Sequence, residues 1–116
     1  TIESRRGFTY PSGTTQFCIV STRQKLSESE IANRLAALKG WEVRDGRLVR
    51  NFKFGDFSEA FAFITRVALA AESMNHHPDW SNVWNRVSVS LQTHDAGGLT
   101  DLDFRLAEKM NSIAES

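Results

Sequence analysis

Apolar residues recur at helical spacing in the segment that follows residue 26. Ser27 and Glu30 form a capping-box pair at its start, and Gly40 stands where a helix could end. Three apolar residues lie between them at helical spacing: Ile31, Leu35 and Leu38. The pattern predicts a first helix with one buried stripe that ends near Gly40.

Two pairs of short apolar segments have the composition of strands. The segments WEV and RLVRNFKF flank Asp45-Gly46, a dipeptide that suits the positive φ angles of a tight hairpin turn. The segments NVW and RVSVSLQT form the second pair. In the last of these, Val87, Val89 and Leu91 alternate with Ser88, Ser90 and Gln92. This alternation predicts one packed and one wetter face of an antiparallel sheet.

A long helix is predicted between the two strand pairs. Asp56 and Glu59 form a second capping-box pattern at its start. Its predicted apolar face comprises Phe57, Phe61, Ile64, Val67 and Ala71. Phe63 and Leu69 lie outside that face, although an isolated amphipathic helix needs only one. The second apolar side therefore meets either another subunit or the interior of the domain.

A last helix completes the predicted fold. Thr100 is its predicted cap, and four residues form its inner face: Leu102, Leu106, Met110 and Ile113. The order αββαββα predicts an α+β domain over residues 26–116, with three helices packed on one face of a four-stranded antiparallel sheet. Residues 1–25 are predicted to be an N-terminal extension that either adds an edge strand or lacks fixed structure.

Composition narrows the classes of protein to consider. The 116 residues include 14 basic and 14 acidic side chains, so no global field favours direct binding to nucleic acid or to an anionic membrane. No apolar segment approaches the roughly 20 residues that span a bilayer, and no signal-peptide core is evident. The single cysteine, Cys18, excludes an intramolecular disulfide and suits burial better than nucleophilic catalysis. We expect a cytoplasmic location, with the nucleus as an additional compartment.

The three histidines are the candidate chemical groups. Pro78 disfavours a helical backbone at His77, so the long helix should end just before it and the rings of His76 and His77 should point in different directions. His94 follows the fourth strand, and Asp103 lies in the first turn of the last helix. If the helix after each strand packs back on the sheet, these groups converge at one edge.

Each candidate also has a purely structural interpretation, since adjacent histidines are common on ordinary surfaces. Glu72 precedes His76 by four residues and would orient its ring if the helix continued that far, but it is more simply interpreted as a solvated helix residue. Asp103, three residues after Thr100, fits a helix-cap partner. Trp80 either packs in the core, as large aromatic residues usually do, or stacks on a ligand.

Metal and nucleotide sites are not expected. Three histidines and a carboxylate are suitable zinc ligands, but adjacent residues before a proline rarely converge on one ion. The spacings CxxC, HxH and HExxH do not occur. Neither GxGxxG nor GxxxxGK is present, so a nucleotide-phosphate cradle has no support. The residue patterns therefore favour neither a metal site nor a nucleotide cofactor.

One run of residues resembles a known family. Glu72-x3-His76-His77-Pro78, followed by x5-Trp84-x9-His94-x8-Asp103, resembles the signature of the pterin-4a-carbinolamine dehydratases. The resemblance extends from about residue 26 to 114 and implies the αββαββα fold. It also implies a 4a-hydroxytetrahydrobiopterin dehydratase, a hydro-lyase that converts 4a-hydroxytetrahydropterin to quinonoid dihydropterin and so recycles the tetrahydropterin cofactor of aromatic amino acid hydroxylases.

The resemblance also implies roles for individual residues. The catalytic set it implies is His76, His77 and His94, with Asp103 as an accessory. The implied pterin contacts add Asn75, Gln92 and Thr93 to these histidines. Gln92 departs from the small serine or threonine of the family pattern, and Asn75 replaces an aspartate and removes a charge. Glu72 and Trp80 are candidates for orienting or stacking roles.

Partners form a second hypothesis. Some relatives are dimerisation cofactors of a homeodomain transcription factor and bind it through the long helix, here residues 56–74. The two apolar sides of that helix fit such a partner or a homo-oligomer, either a dimer or a tetramer. The alternative function is therefore a transcriptional coactivator scaffold.

Overall fold

The structure is a computed structural model that describes residues 24–116. Its elements are α1 (Glu28–Ala36), β1 (Glu42–Arg44), β2 (Arg47–Lys53), α2 (Phe57–Met74), β3 (Asp79–Val83), β4 (Arg86–Leu91), a 3-10 turn (His94–Ala96) and α3 (Asp101–Glu115). The strands form one antiparallel sheet in the order β1-β2-β4-β3. The predicted α+β fold is confirmed. The predictions for Cys18 and for nearly all of the N-terminal extension lie outside the described residues.

Helix caps and a tight turn set most of the element boundaries. The backbone amide of Ser27 donates to Glu30 Oε1 at 2.8 Å and the Ser27 hydroxyl accepts from the Glu30 amide at 3.2 Å, so the predicted capping box is present. The Glu30 carboxylate accepts hydrogen bonds from the Ser27 amide and from the Ser27 hydroxyl. These bonds, the one from the amide most of all, hold the pKa of Glu30 below its ordinary value. Asp56 caps α2. Asp45 and Gly46 have φ angles of 54° and 74°, as the hairpin prediction requires.

The first helix ends earlier than its apolar pattern predicted. Its last residue is Ala36, and Gly40 lies in the following loop with φ of 88°. A β-carbon at Gly40 would stand 2.8 Å from the Arg50 guanidinium carbon. Because the Arg50 side chain is flexible and can move, it is the positive φ that favours glycine here, in the loop and not at the end of the helix.

The sheet has one packed face and one polar face. The side chains on its packed face are buried beneath the helices: Leu48, Phe52, Val87, Val89 and Leu91. On the opposite face Ser81 and Ser88 are exposed. This confirms the alternation predicted for β4. The three helices cover only the packed face, and α2 and α3 also pack against each other.

The edge strand β3 differs from the prediction. It begins at Asp79, three residues before the predicted segment NVW, and pairs only with β4. Trp84 is not part of the strand, because it occupies the hairpin turn with φ of 52° and is 64% exposed. The residues from Asp79 lack apolar alternation, and their strand conformation depends on backbone pairing with β4.

The buried face of α2 was predicted only in part, since Val67 and Ala71 are buried as expected and Phe57 and Phe61 are not. Its buried residues are Ala60, Phe63, Val67 and Ala71. Phe57 and Phe61, assigned to the packed face, are 46% and 54% exposed, and Leu69 is 69% exposed. Phe63 packs against Phe52 of the sheet with ring centroids 4.7 Å apart, and this contact selects which side of the helix turns inward. Neither α2 nor any other helix within residues 24–116 is long and apolar enough to cross a membrane.

Candidate active site

The end of α2 separates the two adjacent histidines. Asn75 adopts the left-handed conformation, with φ of 53° and ψ of 41°, which asparagine tolerates better than most residues. Its amide donates to the Glu72 carbonyl and the His76 amide donates to the Ala71 carbonyl, both at 3.1 Å, so the helix closes in a Schellman motif. The helix ends just before His77, as predicted. The His76 side chain is only 7% exposed, whereas that of His77 is 58% exposed.

His76 is paired with a buried carboxylate. Its Nε2 lies 2.6 Å from Oδ1 of Asp103, whose side chain is fully buried in the first turn of α3. The other oxygen of Asp103 accepts from the Thr100 amide at 2.9 Å and so completes the capping box of α3. One oxygen of Asp103 therefore caps the helix, as its structural interpretation predicted, and the other contacts the histidine. A buried carboxylate needs several such partners.

Thr93 connects this pair to the strand end that carries His94. The Thr93 hydroxyl donates to Asp103 Oδ2 at 2.9 Å and lies 2.7 Å from the Thr100 hydroxyl. Its backbone amide donates to the Gly98 carbonyl at 3.0 Å, which closes the loop containing the 3-10 turn. His94 begins that turn and is exposed. Because the Thr93 side chain is buried, the pterin contact predicted for Thr93 would come from its backbone.

Glu72 contacts a different histidine from the one that helical spacing predicted. Its Oε1 lies 2.8 Å from Nε2 of His77 instead of contacting His76, because α2 has already ended at Met74. Both side chains are exposed, so this pair stabilises the fold by at most about 1 kcal/mol. Its effect is to restrict the orientation of the His77 ring.

The remaining predicted site residues are Asn75, Gln92 and Trp80. Asn75 is exposed at the helix end, and Gln92 is half-buried between β4 and Thr93. Trp80 is half-buried and packs against the core, as its structural interpretation predicted. Thr100, considered from the sequence only as a helix cap, is also part of the buried network.

The arrangement suits proton transfer. Imidazole exchanges protons near neutral pH, and one ring here is held by a carboxylate while His77 and His94 reach solvent. Within residues 24–116, which include all three histidines, no group of three or more His, Cys, Asp or Glu side chains has a geometry that could hold a metal ion. These imidazole and carboxylate side chains can donate and accept protons.

Comparison with known proteins identifies the family. The profile of the family described as Pterin 4 alpha carbinolamine dehydratase matches residues 24–113. The chain belongs to this dehydratase family. A Mesorhizobium japonicum protein whose name assigns it to the pterin-4-alpha-carbinolamine dehydratases is 61% identical over 92 residues, which cover 78% of this chain and 94% of that protein. A Synechococcus protein (strain WH7803) of the same assignment is 58% identical over 88 residues, covering 76% and 95%.

The solved structure of a related protein has the same fold as this chain. The crystal structure of a Brucella melitensis protein described as a transcriptional coactivator/pterin dehydratase has a TM-score of 0.77 and 49% sequence identity. The match covers 78% of this chain and 99% of that one. The family predicted from the histidine motif is therefore confirmed, and residues 1–23 lie outside the family match.

Proposed function

We propose that the chain is a 4a-hydroxytetrahydrobiopterin dehydratase that acts by histidine acid and base catalysis without a metal or cofactor. Its proposed role is to recycle the tetrahydropterin cofactor in the cytoplasm. One observation carries the proposal beyond family membership. The contacts from His76 through Asp103 to Thr93 join the helix exit with its two histidines to the strand end with the third.

The reaction needs a proton at one atom and removes a proton from another. The C4a hydroxyl leaves as water after its oxygen is protonated, and loss of the N5 proton allows the C4a=N5 double bond of the quinonoid dihydropterin to form. The exposed rings of His77 and His94 are the proposed acid and base on either side of the pterin, whereas His76 would bind and polarise it. Asn75 and Gln92, together with the backbone of Thr93, are the proposed additional pterin contacts. Each positioned acid or base typically contributes about 10²- to 10⁴-fold.

A stopped-flow assay with synthetic 4a-carbinolamine tests this function. We expect the protein to accelerate dehydration above the spontaneous rate, with water and quinonoid dihydropterin as products. The acceleration should survive dialysis against EDTA, since the proposed chemistry uses imidazole alone. A rate equal to that in buffer would contradict the proposed function, and a rate abolished by EDTA and restored by zinc would contradict the metal-free mechanism.

Self-association through α2 is a second proposed property. Phe57 and Phe61 are half exposed on adjacent turns, with ring centroids 5.6 Å apart. With Ile64 and Trp80 they line a cavity of about 260 Å³ between α2 and the edge strand β3. Exposed aromatic side chains in a contiguous group favour a protein interface. A second copy of the chain, in a dimer or tetramer, is the proposed occupant. A transcription factor is the alternative, since the Brucella protein is described as a transcriptional coactivator.

Phe61→Glu tests the self-association. We expect the wild-type mass measured by light scattering to be a multiple of the chain mass, and the variant to be a monomer, because the charge would have to be buried in the interface. Ala62→Glu is the matched control, since Ala62 is also exposed on α2 but, as the next residue in the helix, does not share a face with Phe61; this charge should not change the mass. A monomeric wild-type protein would refute self-association and favour a different partner.

A further inference from the structure

The two buried threonines form a hydrogen-bond chain with a defined direction. Thr93 Oγ1 donates its only proton to Asp103 Oδ2, so at its contact with Thr100 Oγ1 it must accept. Thr100 Oγ1 in turn accepts from the Leu102 amide at 3.3 Å, which leaves its own proton free to point toward Thr93. Thr100 therefore donates a hydrogen bond to Thr93, and Thr93 donates one to the carboxylate of Asp103. The exposed fractions of Thr93, Thr100 and Asp103 are 2%, 0% and 0%, so water does not compete.

This direction determines which nitrogen of His76 carries a proton. Oδ2 of Asp103 already accepts from the Thr93 hydroxyl and the Thr100 amide, both at 2.9 Å, as expected of an ionised carboxylate. Its Oδ1 faces His76 Nε2 at 2.6 Å and, in an ionised group, is an acceptor as well. The imidazole must then donate from Nε2, and Nδ1 is left as the nitrogen that exchanges a proton or a hydrogen bond with a ligand.

We infer that Thr93 and Thr100 are positioning residues that act through Asp103 to hold His76 in the Nε2–H tautomer, with Nδ1 directed to the substrate. Thr93 has a second effect, because it immediately precedes His94 and its backbone amide is bonded to Gly98. It therefore fixes the backbone from which the His94 ring projects. Thr93 affects two of the three histidines, whereas the Thr100 side chain acts by fixing the direction of the Thr93 hydroxyl.

The tautomer is measured directly by ¹⁵N NMR of the imidazole rings. The chain has three histidines, so each ring signal can be assigned by single substitution to glutamine. In the neutral form of the ring, recorded at alkaline pH, we expect wild-type His76 to show a protonated Nε2 and an unprotonated Nδ1. Thr93→Val should give a mixture of tautomers, and Thr93→Ser, which restores the hydroxyl, should restore the single form. A wild-type ring protonated at Nδ1, or a Thr93→Val ring that stays fully in the Nε2–H form, would overturn the inference.

Kinetics give the second readout, which alone rests on the proposed dehydratase function. We expect Thr93→Val to lower kcat by about 10- to 100-fold, the range found when the orienting partners of metal-bound histidines are removed, with a smaller change in KM. Thr100→Val should lower kcat less than Thr93→Val, and each serine variant should recover most of the rate. Equal losses in the serine and valine variants of Thr93 would overturn the inference, because the hydroxyl would then have no role.

The two readouts separate failure of this inference from failure of the proposed function. A wild-type protein without dehydratase activity, but with the Nε2–H tautomer that Thr93→Val disrupts, would support the positioning role and refute the dehydratase. An active protein whose His76 tautomer does not respond to Thr93→Val would do the opposite. If Thr93→Val fails to fold, the ring spectra of Thr100→Val, in which Thr93 loses its fixed direction, decide the same question; an unchanged spectrum would count against the inference.

Discussion

Replacing His94 or His77 by alanine is expected to lower kcat for dehydration of 4a-carbinolamine by about 10²- to 10⁴-fold, since each ring is proposed to transfer one of the two protons. Both side chains are exposed, so truncation leaves no buried cavity. The melting temperature should therefore stay within a few degrees of the wild-type value, because surface substitutions usually change stability by about 0.5 kcal/mol or less. Stopped-flow turnover and thermal melts on the same preparations measure both effects.

The control for His94 is its neighbour in the same 3-10 turn. Asp95→Ala removes an exposed polar side chain from that turn and should retain nearly wild-type turnover. Glu72→Gln gives a milder comparison for His77, since it keeps the hydrogen-bonding length but removes the charge beside the ring. Nearly normal turnover in both alanine variants would refute the assignment of His77 and His94 as acid and base.

Features set by neighbouring residues were predictable from the sequence. Ser27 and Thr100 begin helices because their side chains satisfy amides within three residues, and Asp45-Gly46 turns because of its own φ preferences. The helix stop before Pro78 is equally local, although the residue that ends α2 is Asn75 in the left-handed conformation. These rules explain why the order of elements was correct.

Features set by contacts between distant segments were not predictable in the same way. The apolar residues of α2 lie on more than one side, and only the aromatic rings of the sheet decide that Phe63 rather than Phe61 is buried. The partner of Glu72 was also missed, because a helical spacing of four no longer applies once the chain reverses at Asn75. Periodicity alone carries no information about either event.

The hydrogen-bond network of the site is the clearest case. His76 and Asp103 are 27 residues apart, and the motif predicted both without indicating that they touch. Thr93 was expected to contact a ligand and Thr100 only to cap a helix, yet their hydroxyls meet in the interior. A threonine at a strand end before a short loop, followed by another that caps the next helix, is the only local signal. Its meaning depends on how α3 packs against β4.

Asp103→Asn is expected to lower kcat by at least about 10²-fold, because it reverses the proton demand on His76. The amide oxygen can still accept from the Thr93 hydroxyl and the Thr100 amide, so its NH₂ group must face His76 Nε2. Nε2 then has to accept, and the proton moves to Nδ1. The corresponding change in Ser-His-Asp hydrolases leaves the geometry intact and lowers kcat about 10⁴-fold through the wrong tautomer.

The matched control for Asp103→Asn lies in the same turn of α3. Asp101→Asn removes the same charge but affects only partly exposed ion pairs with Arg34 and Arg105, so kcat should stay near wild type and stability should fall by at most about 1 kcal/mol per pair. Asp103→Asn should lower the free energy of unfolding by about 1–3 kcal/mol, the cost of a poorly matched buried polar group. Its His76 ring should show Nδ1–H in the ¹⁵N spectrum. Wild-type turnover with a reversed tautomer would show that the proton position on His76 does not matter for catalysis, and would leave Asp103 with the role of a helix cap.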